Sequence, residues 1–241
     1  MYGIIGYPLL QTFSPGYFNK KFEEKGIHDT YERFPLNKID DLKQVLERHP
    51  DLKGMNVTIP YKQAVIPLLD ELDDTAQQIG AVNTISIKNG KLKGYNTDTI
   101  GFSNSLNPLL KSQHNKALIL GTGGASKAVA YALKKLNISY QFVSRNKKES
   151  QLFYSDLNKT IIEDHKLIIN TTPLGMVPHE NALPDIPYTF LSAEHLLYDL
   201  IYHPEETLFL QKGKEYGASI KNGYEMLIGQ AEAAWEIWQQ D

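Results

Sequence analysis

Two short stretches of this chain combine reactive residue types with spacings that would expose them. The first is Asn56-Val57-Thr58-Ile59-Pro60-Tyr61-Lys62, where a strand-forming run ends and a lysine follows. An ammonium just past a strand end can stabilise negative charge growing on a substrate oxygen and can supply a proton. The spacing predicts that Lys62 opens a helix, where a cation opposes the helix dipole. Such a local conflict marks many functional sites, although a solvated surface lysine fits the same stretch. The second is Gly121-Thr122-Gly123-Gly124-Ala125-Ser126, between a buried apolar run and a helical one. Glycines there let the backbone turn tightly, so that a pyrophosphate can approach the amide groups of a helix N-terminus. The third small-residue position of such a loop holds Ser126. A plain strand-to-helix turn is the alternative.

The strand after the glycine loop bears on which dinucleotide would bind. An NAD site carries Asp or Glu at the end of its second strand, to hold the ribose 2′-hydroxyl. Here the run reads Val143-Ser144-Arg145-Asn146-Lys147-Lys148, with no carboxylate and three cations. A guanidinium can grip a 2′-phosphate and stack on adenine. The pattern favours NADP(H) over NAD; a solvated charge run after a strand would look the same.

Further polar candidates are scattered. Thr12 and Ser14 follow the first strand, where open α/β sheets bind ligands; Ser14 would also serve as a helix N-cap ahead of Pro15. Asn83 interrupts an apolar and Thr-rich strand and is either a ligand group or a satisfied core amide. Asp98 opens a helix, where a carboxylate is favourable in any case. The 7 His residues form no metal-binding pattern, so no metal is expected. There is no Gly-x-Ser-x-Gly elbow and no phosphate loop of the Walker type.

Tyr2–Gly6, Thr30–Phe34 and Gly54–Ile59 read as strands. Helices are expected from Ser14 to Gly26, from Asn37 onward, and over Tyr61–Leu69. Such alternation implies a mostly parallel sheet covered by helices. Asn83–Lys88 and Lys91–Tyr95 flank Asn89-Gly90, a strong hairpin signal, and would add an antiparallel edge. A helix over about 97–110 and a polar break follow. The alternation then restarts. Strands are expected at Ala117–Leu120, Ser139–Val143, Lys166–Asn170, His195–Leu200 and Ala218–Lys221, and helices at Gly124–Leu136, Pro204–Tyr216 and Gly223–Gln240. Leu227, Ala231, Ala234, Trp235 and Trp238 share one face of the last helix.

The chain has 241 residues, 41% of them hydrophobic, a net charge of −3 and no Cys. This length suits one large domain or two smaller ones. The charge gives no global field for nucleic acid or an anionic membrane. The lack of Cys excludes disulfides, thiolate metal sites and Cys nucleophiles, and suits a cytoplasmic protein. No apolar run approaches the ~20 residues of a membrane helix.

Taken in order, these motifs resemble the shikimate dehydrogenase family over nearly the whole chain. Gly6-Tyr7-Pro8 with Thr12-Phe13-Ser14-Pro15 is similar to the family's substrate loop, and Asn56–Lys62 to its catalytic Asn-Val-Thr-x-Pro-x-Lys motif. Gly80–Thr84 and Gly94–Asp98 match two further signatures. Gly121–Ser126, Ser144-Arg145-Asn146 and Asn170–Met176 resemble its cofactor motifs, and Gly223–Leu227 with Gln230-Ala231 completes the set. Thr12 stands where the family usually has Ser. Ser144 and Asn146 replace the usual Asn and Thr of the adenosine motif, and the chain is short between residues 146 and 166.

The resemblance implies an α/β protein of two domains with a cleft between them. Residues 1–100 would form a mostly parallel α/β/α sandwich for substrate, residues 101–222 a Rossmann-like NADP-binding domain, and the helix 223–241 would pack back on the first. It implies reversible NADPH-dependent reduction of 3-dehydroshikimate to shikimate, in chorismate and aromatic amino acid biosynthesis, by a monomer or homodimer. Lys62 and Asp98 would be catalytic. Thr12, Ser14, Thr58, Asn83, Tyr202 and Gln230 would join them in binding substrate. Gly121, Gly123, Gly124, Ala125, Ser144, Arg145, Asn146, Thr171, Thr172, Leu200 and Gly223 would bind cofactor. The alternatives are a quinate/shikimate dehydrogenase preferring NAD, a non-catalytic NADP-binding sensor, and another two-domain NADP enzyme such as a methylenetetrahydrofolate dehydrogenase.

Overall fold

Short apolar runs become the central strands of two sheets. In the computed structural model, which describes residues 1–9, 12–145 and 151–240, the chain divides into two units. One comprises Met1–Thr97 together with the residues from Ala231 on; the other is Asp98–Gln230.

In the first unit β1 (Tyr2–Gly6) is buried along its whole length, as a central parallel strand is when both faces are covered. It pairs in parallel with β2 (Tyr31–Pro35) and β3 (Gly54–Val57). After β4 (Glu71–Leu72), the hairpin β5 (Thr84–Lys88) and β6 (Lys91–Tyr95) joins antiparallel to β3. Asn89 and Gly90 turn it with φ of 52° and 76°. The sheet order is β2-β1-β3-β5-β6-β4. The hairpin is therefore not the edge it was expected to be, because β4 pairs outside it.

The helices of this unit correct several expectations. Helix α1 (Phe13–Lys25) starts after Thr12, which is extended at φ −114° and ψ 134°. Ser14 is thus inside the first turn and is not the cap; Pro15 is tolerated there because first-turn amides need no helical acceptor. Helix α2 (Leu42–Arg48) follows a 3-10 turn at Ile39–Asp41, so Asn37 caps nothing; the Asp41 carboxylate instead accepts from the Lys38 amide at 3.4 Å. The helix expected over Tyr61–Leu69 is absent. The Val65 amide reaches the Tyr61 carbonyl at 2.9 Å, but Pro67 has no N–H to donate, and only a 3-10 turn at Ile66–Leu68 follows. Helix α3 (Asp74–Ile79) was not foreseen; the Asp73 carboxylate caps it by accepting from Ala76 N at 2.8 Å.

One face of this sheet buries Met55, Val57, Val65 and Ile85. The other is aromatic: Tyr2, Phe18, Phe22 and Tyr31 pack with Trp238. Trp238 belongs to α8 (Tyr224–Gln240) and donates its indole N–H to the Ile85 carbonyl at 2.9 Å. Glu232 of the same helix accepts from Tyr17 and from the buried Lys21 of α1.

The second unit holds β7 (Lys116–Leu120), β8 (Ser139–Ser144), β9 (Leu152–Phe153), β10 (Leu167–Asn170), β11 (Leu196–Asp199) and β12 (Ser219–Lys221), all parallel. Their order is β12-β11-β10-β7-β8-β9. The chain moves outward from β7 and then returns to β10 on its other side. Ligands of such sheets bind beyond the strand ends at that reversal. Helices α4 (Asp98–Leu106), α5 (Gly124–Lys135), α6 (Lys159–Asp164) and α7 (Leu208–Glu215) complete the unit with the start of α8. The sequence reading placed neither β9 nor α6. Helix α7 begins four residues later than expected, because the Thr207 side chain caps it by accepting from Leu210 N at 3.4 Å. No helix among the described residues is long and apolar enough to cross a membrane.

Candidate active site

In the first unit the polar candidates gather at the ends of β1, β3 and β5. Asn56, on β3, donates to the Asn83 carbonyl at 3.3 Å and to the Thr84 hydroxyl at 3.2 Å. That pins its amide, so its Oδ1 faces Tyr31, whose hydroxyl donates to it at 2.6 Å. Asn83 uses both ends of its side chain. Its Oδ1 accepts from Thr97 N at 2.7 Å and its Nδ2 donates to the Thr97 hydroxyl at 3.0 Å. Ser14, 6% exposed, lies beside Tyr31. Burial drives the Tyr31 phenol well above its usual pKa, and the Ser14 hydroxyl offsets that only in part; Tyr31 is neutral at any ordinary pH. The network links Ser14, Asn83 and the turn that leads to Asp98 with neutral groups.

Thr58 and Lys62 lie next to it. The Thr58 amide donates to the Ile5 carbonyl at 2.9 Å and its carbonyl accepts from Tyr61 at 2.9 Å. The Lys62 carbonyl accepts from Val82 N at 2.7 Å, which ties the lysine's backbone to the residue before Asn83. Lys62 is half-buried and sits in a turn, so the opposed helix dipole expected there does not exist. The Thr12 hydroxyl accepts from Arg33 Nε at 3.0 Å, which adds a cation to this loop.

In the second unit the glycine loop has the form of an anion cradle. Gly121 holds φ at 106°, a conformation that side chains strongly disfavour, and a Cβ there would meet the Thr171 hydroxyl at 2.8 Å. Gly123 flanks α5 in extended form, with open space where a Cβ would point. Gly124 and Ala125 begin the helix. Ser126 is fully buried and donates to the Gly123 carbonyl at 2.7 Å, so the hydroxyl fits the close-packed third position by closing the loop on itself. The Thr171 hydroxyl donates to the Leu120 carbonyl at 2.7 Å, and Thr172 donates through N–H and O–H to Asn170 Oδ1 at 3.0 and 2.7 Å. Ser144 closes β8, and Arg145 follows it, exposed. Asn146, with Lys147 and Lys148, lies outside the described residues. The glycine loop, the Thr171 turn and Arg145 suit a phosphorylated dinucleotide: open backbone for the pyrophosphate and a guanidinium after β8 to meet a 2′-phosphate.

Asp98 and Gln230 are set by a close helix crossing within this unit. A Cβ at Gly101 would meet Gln230 N at 2.8 Å, and one at Gly229 would meet the Gly101 Cα at 3.0 Å. Only bare backbones let α4 and α8 approach this closely. Asp98, 6% exposed, starts α4; Gln230, 8% exposed, donates to the Leu227 carbonyl at 2.9 Å. Tyr202 is half-buried and its phenol is raised in pKa by burial. It lines an open pocket of about 900 Å³ together with His203, Lys221 and Tyr224. Leu200 and Gly223 are in direct backbone contact beside it.

Sequence reasoning missed Tyr31 and the buried pair Asp199 and Thr207. The available signal was a polar residue closing an otherwise apolar strand, as in Leu-Ile-Ile-Asn and Leu-Leu-Tyr-Asp.

Residues 4–85 match the family described as the shikimate dehydrogenase substrate binding domain. A shikimate dehydrogenase (NADP+) of Methanosphaera stadtmanae is 37% identical over 98% of this chain and 90% of its own length. The crystal structure of shikimate dehydrogenase from Aquifex aeolicus aligns with a TM-score of 0.89 at 36% identity, covering 100% of this chain and 92% of that one. The Thermus thermophilus shikimate 5-dehydrogenase solved with NADP(H) and shikimate aligns at 0.88 and 28% identity, covering 100% and 93%. With identity of this order sustained from end to end, the chain belongs to the shikimate dehydrogenase family.

Proposed function

We propose that this protein catalyses the reversible, NADPH-dependent reduction of 3-dehydroshikimate to shikimate, an oxidoreductase step on a CH–OH group in aromatic amino acid biosynthesis. The observation that carries it is the glycine cradle at the strand-order reversal, followed by Arg145 in place of an acid, in a member of this family. When bound, NADP(H) supplies the hydride. Lys62 is assigned to the carbonyl oxygen, where its ammonium stabilises the charge that develops on reduction. Asp98 is assigned to the charge balance of Lys62 and to a substrate hydroxyl. Thr12, Ser14 and Tyr202 are assigned to the substrate carboxylate, with Arg33 holding the Thr12 hydroxyl; Thr58, Asn83 and Gln230 are assigned to ring hydroxyls. Gly121, Gly123, Gly124, Ala125, Thr171 and Thr172 are assigned to the pyrophosphate and its surroundings. Ser144, Arg145 and Asn146 are assigned to the adenosine, and Leu200 and Gly223 to the nicotinamide. We place the reaction in the cytoplasm, as a cysteine-free chain suits, with the protein a monomer or homodimer.

The test is absorbance at the reduced-nicotinamide band with shikimate plus NADP+, then with quinate plus NAD+. Reduction with the first pair is expected. Faster turnover with the second would overturn the substrate and cofactor assignment together.

A further inference from the structure

Asp199 is the most deeply buried carboxyl among the described residues, at 0% exposure, and nothing in the reaction uses it. It closes β11 directly beside Asn170, its register partner on β10. Its Oδ1 accepts from Asn170 Nδ2 at 3.1 Å and from Ile201 N at 3.0 Å; its Oδ2 accepts from the Thr207 hydroxyl at 2.6 Å. All three donors are neutral. Each belongs to a different segment: the end of β10, the turn after β11, and the cap of α7.

The Asn170 end reaches further. With its Nδ2 given to Asp199 and to the Leu174 carbonyl at 3.2 Å, its Oδ1 is left for both donors of Thr172. Thr171, next to it, contacts the glycine loop through the Leu120 carbonyl. A continuous chain of hydrogen bonds therefore runs from α7 through Asp199 to the turn that abuts Gly121. A buried carboxylate is a costly way to brace a fold, since neutral groups of the same size could satisfy the same donors. Burial raises its pKa to about 6, so at neutral pH the charged acceptor is present.

We propose that Asp199 is a positioning residue for the dinucleotide: it locks the Thr171–Thr172 turn and the Leu200–Tyr202 turn into the arrangement that receives the cofactor. The proposal rests on the reading of this site as the NADP(H) site. Preformed turns spare the ligand the cost of ordering them.

The experiment is calorimetric titration of NADPH, without substrate, into wild type, Asp199→Ala, Asp199→Asn and Asn170→Ala, each first checked for folding by circular dichroism. Asp199→Ala is expected to weaken NADPH about tenfold, and Asn170→Ala by a similar factor. In the double variant the two losses should not multiply, because both cut the same chain. Asp199→Asn keeps the Oδ1 acceptor while the Thr207 hydroxyl turns to accept, and should stay within about threefold of wild type. If Asp199→Ala does not fold, the Asn170→Ala and Thr207→Val variants carry the test, with Thr207→Ser restoring affinity. Folded Ala variants that bind NADPH like wild type would overturn the proposal, as would full multiplicativity. Wild type that fails to bind NADPH would instead overturn the cofactor reading itself.

Discussion

The two units build their sites at the same place, the carboxyl ends of parallel strands, with opposite electrical solutions. In the first, Tyr31, Asn56, Asn83, Thr84 and Thr97 form a buried network of neutral amides and hydroxyls. In the second, the corresponding network turns on one buried carboxylate, Asp199. Neutral groups such as these satisfy one another at every pH. A buried carboxylate binds its donors more strongly but makes its region sensitive to protons. On the proposed assignments, the first unit would hold the Lys62 ammonium in a neutral setting, and the second would hold its loops in place for an anion.

The largest expected effect separates chemistry from scaffold. Lys62→Ala should lower turnover about 10²–10⁴-fold, the usual cost of losing an electrostatic or acid–base group. Because Lys62 is half-buried in a turn outside any helix or strand, the protein should remain folded and bind NADPH normally. Turnover within a few-fold of wild type would remove Lys62 from the reaction and leave the first unit with no assigned reactive group.

The next prediction tests the charged network against pH. Burial raises Asp199 from an ordinary 3.8 to about 6, with the Thr207, Ile201 and Asn170 hydrogen bonds offsetting part of the rise. The unfolded chain therefore loses this proton more readily than the folded one. Its contribution to stability is full below pH 4 and is lost as pH rises through 6. A shift of roughly two units corresponds to about 3 kcal/mol. Tyr188 feels the Asp199 charge but is itself held neutral by burial, so it adds no slope in this range. Asp199→Asn has nothing to titrate; its unfolding free energy relative to wild type should climb by about 3 kcal/mol from pH 4 to pH 8 in urea titrations. A difference that stays flat would mean that the carboxyl is already accommodated without cost.

Arg145 sharpens the contrast from the cofactor side. It is exposed at the end of β8, so its effect should be confined to the ligand. Arg145→Ala should weaken NADPH about 10–150-fold, or ~1.5–3 kcal/mol for a charge-assisted pair, toward the low end where Lys147 and Lys148 share the phosphate. NADH affinity should barely move, and the NADPH loss should shrink in high salt. Equal losses for both cofactors would assign Arg145 to adenine or to the loop.

How much of this was legible in the sequence depends on distance along the chain. The glycine loop and the Asn89-Gly90 hairpin are local and were placed correctly, because turn chemistry is written in adjacent residues. The Lys62 segment was misread as a helix because apolar spacing outweighed Pro67, which removes the hydrogen bond a helix needs. The pairing within the two polar networks was not legible. Tyr31 meets Asn56 across 25 residues and Asn170 meets Asp199 across 29, and only the strand order brings those partners together. A tyrosine at a buried strand position looks like core until its hydroxyl is seen to have a partner.

The smallest expected effect is the sharpest test of neutrality. Tyr31 is 2% exposed and stacks on Phe18 with centroids 4.8 Å apart and planes at 11°. Tyr31→Phe keeps that stack and removes only the hydroxyl, leaving Asn56 Oδ1 without its 2.6 Å donor. Asn56 stays oriented through Nδ2, which still donates to Asn83 and Thr84. The same hydroxyl also meets Ser14, so the cost should be that of one to two neutral hydrogen bonds, about 1–2 kcal/mol. NADPH affinity should be unchanged, since the residues proposed for the cofactor belong to the other unit. The destabilisation should also be the same at pH 5 and pH 8, because the raised pKa of Tyr31 keeps it un-ionised across that range. The measurement is the urea midpoint of wild type and variant at both pH values. A loss that changes with pH would mean that a titrating group is coupled to this network, and the electrical difference between the two units would no longer hold.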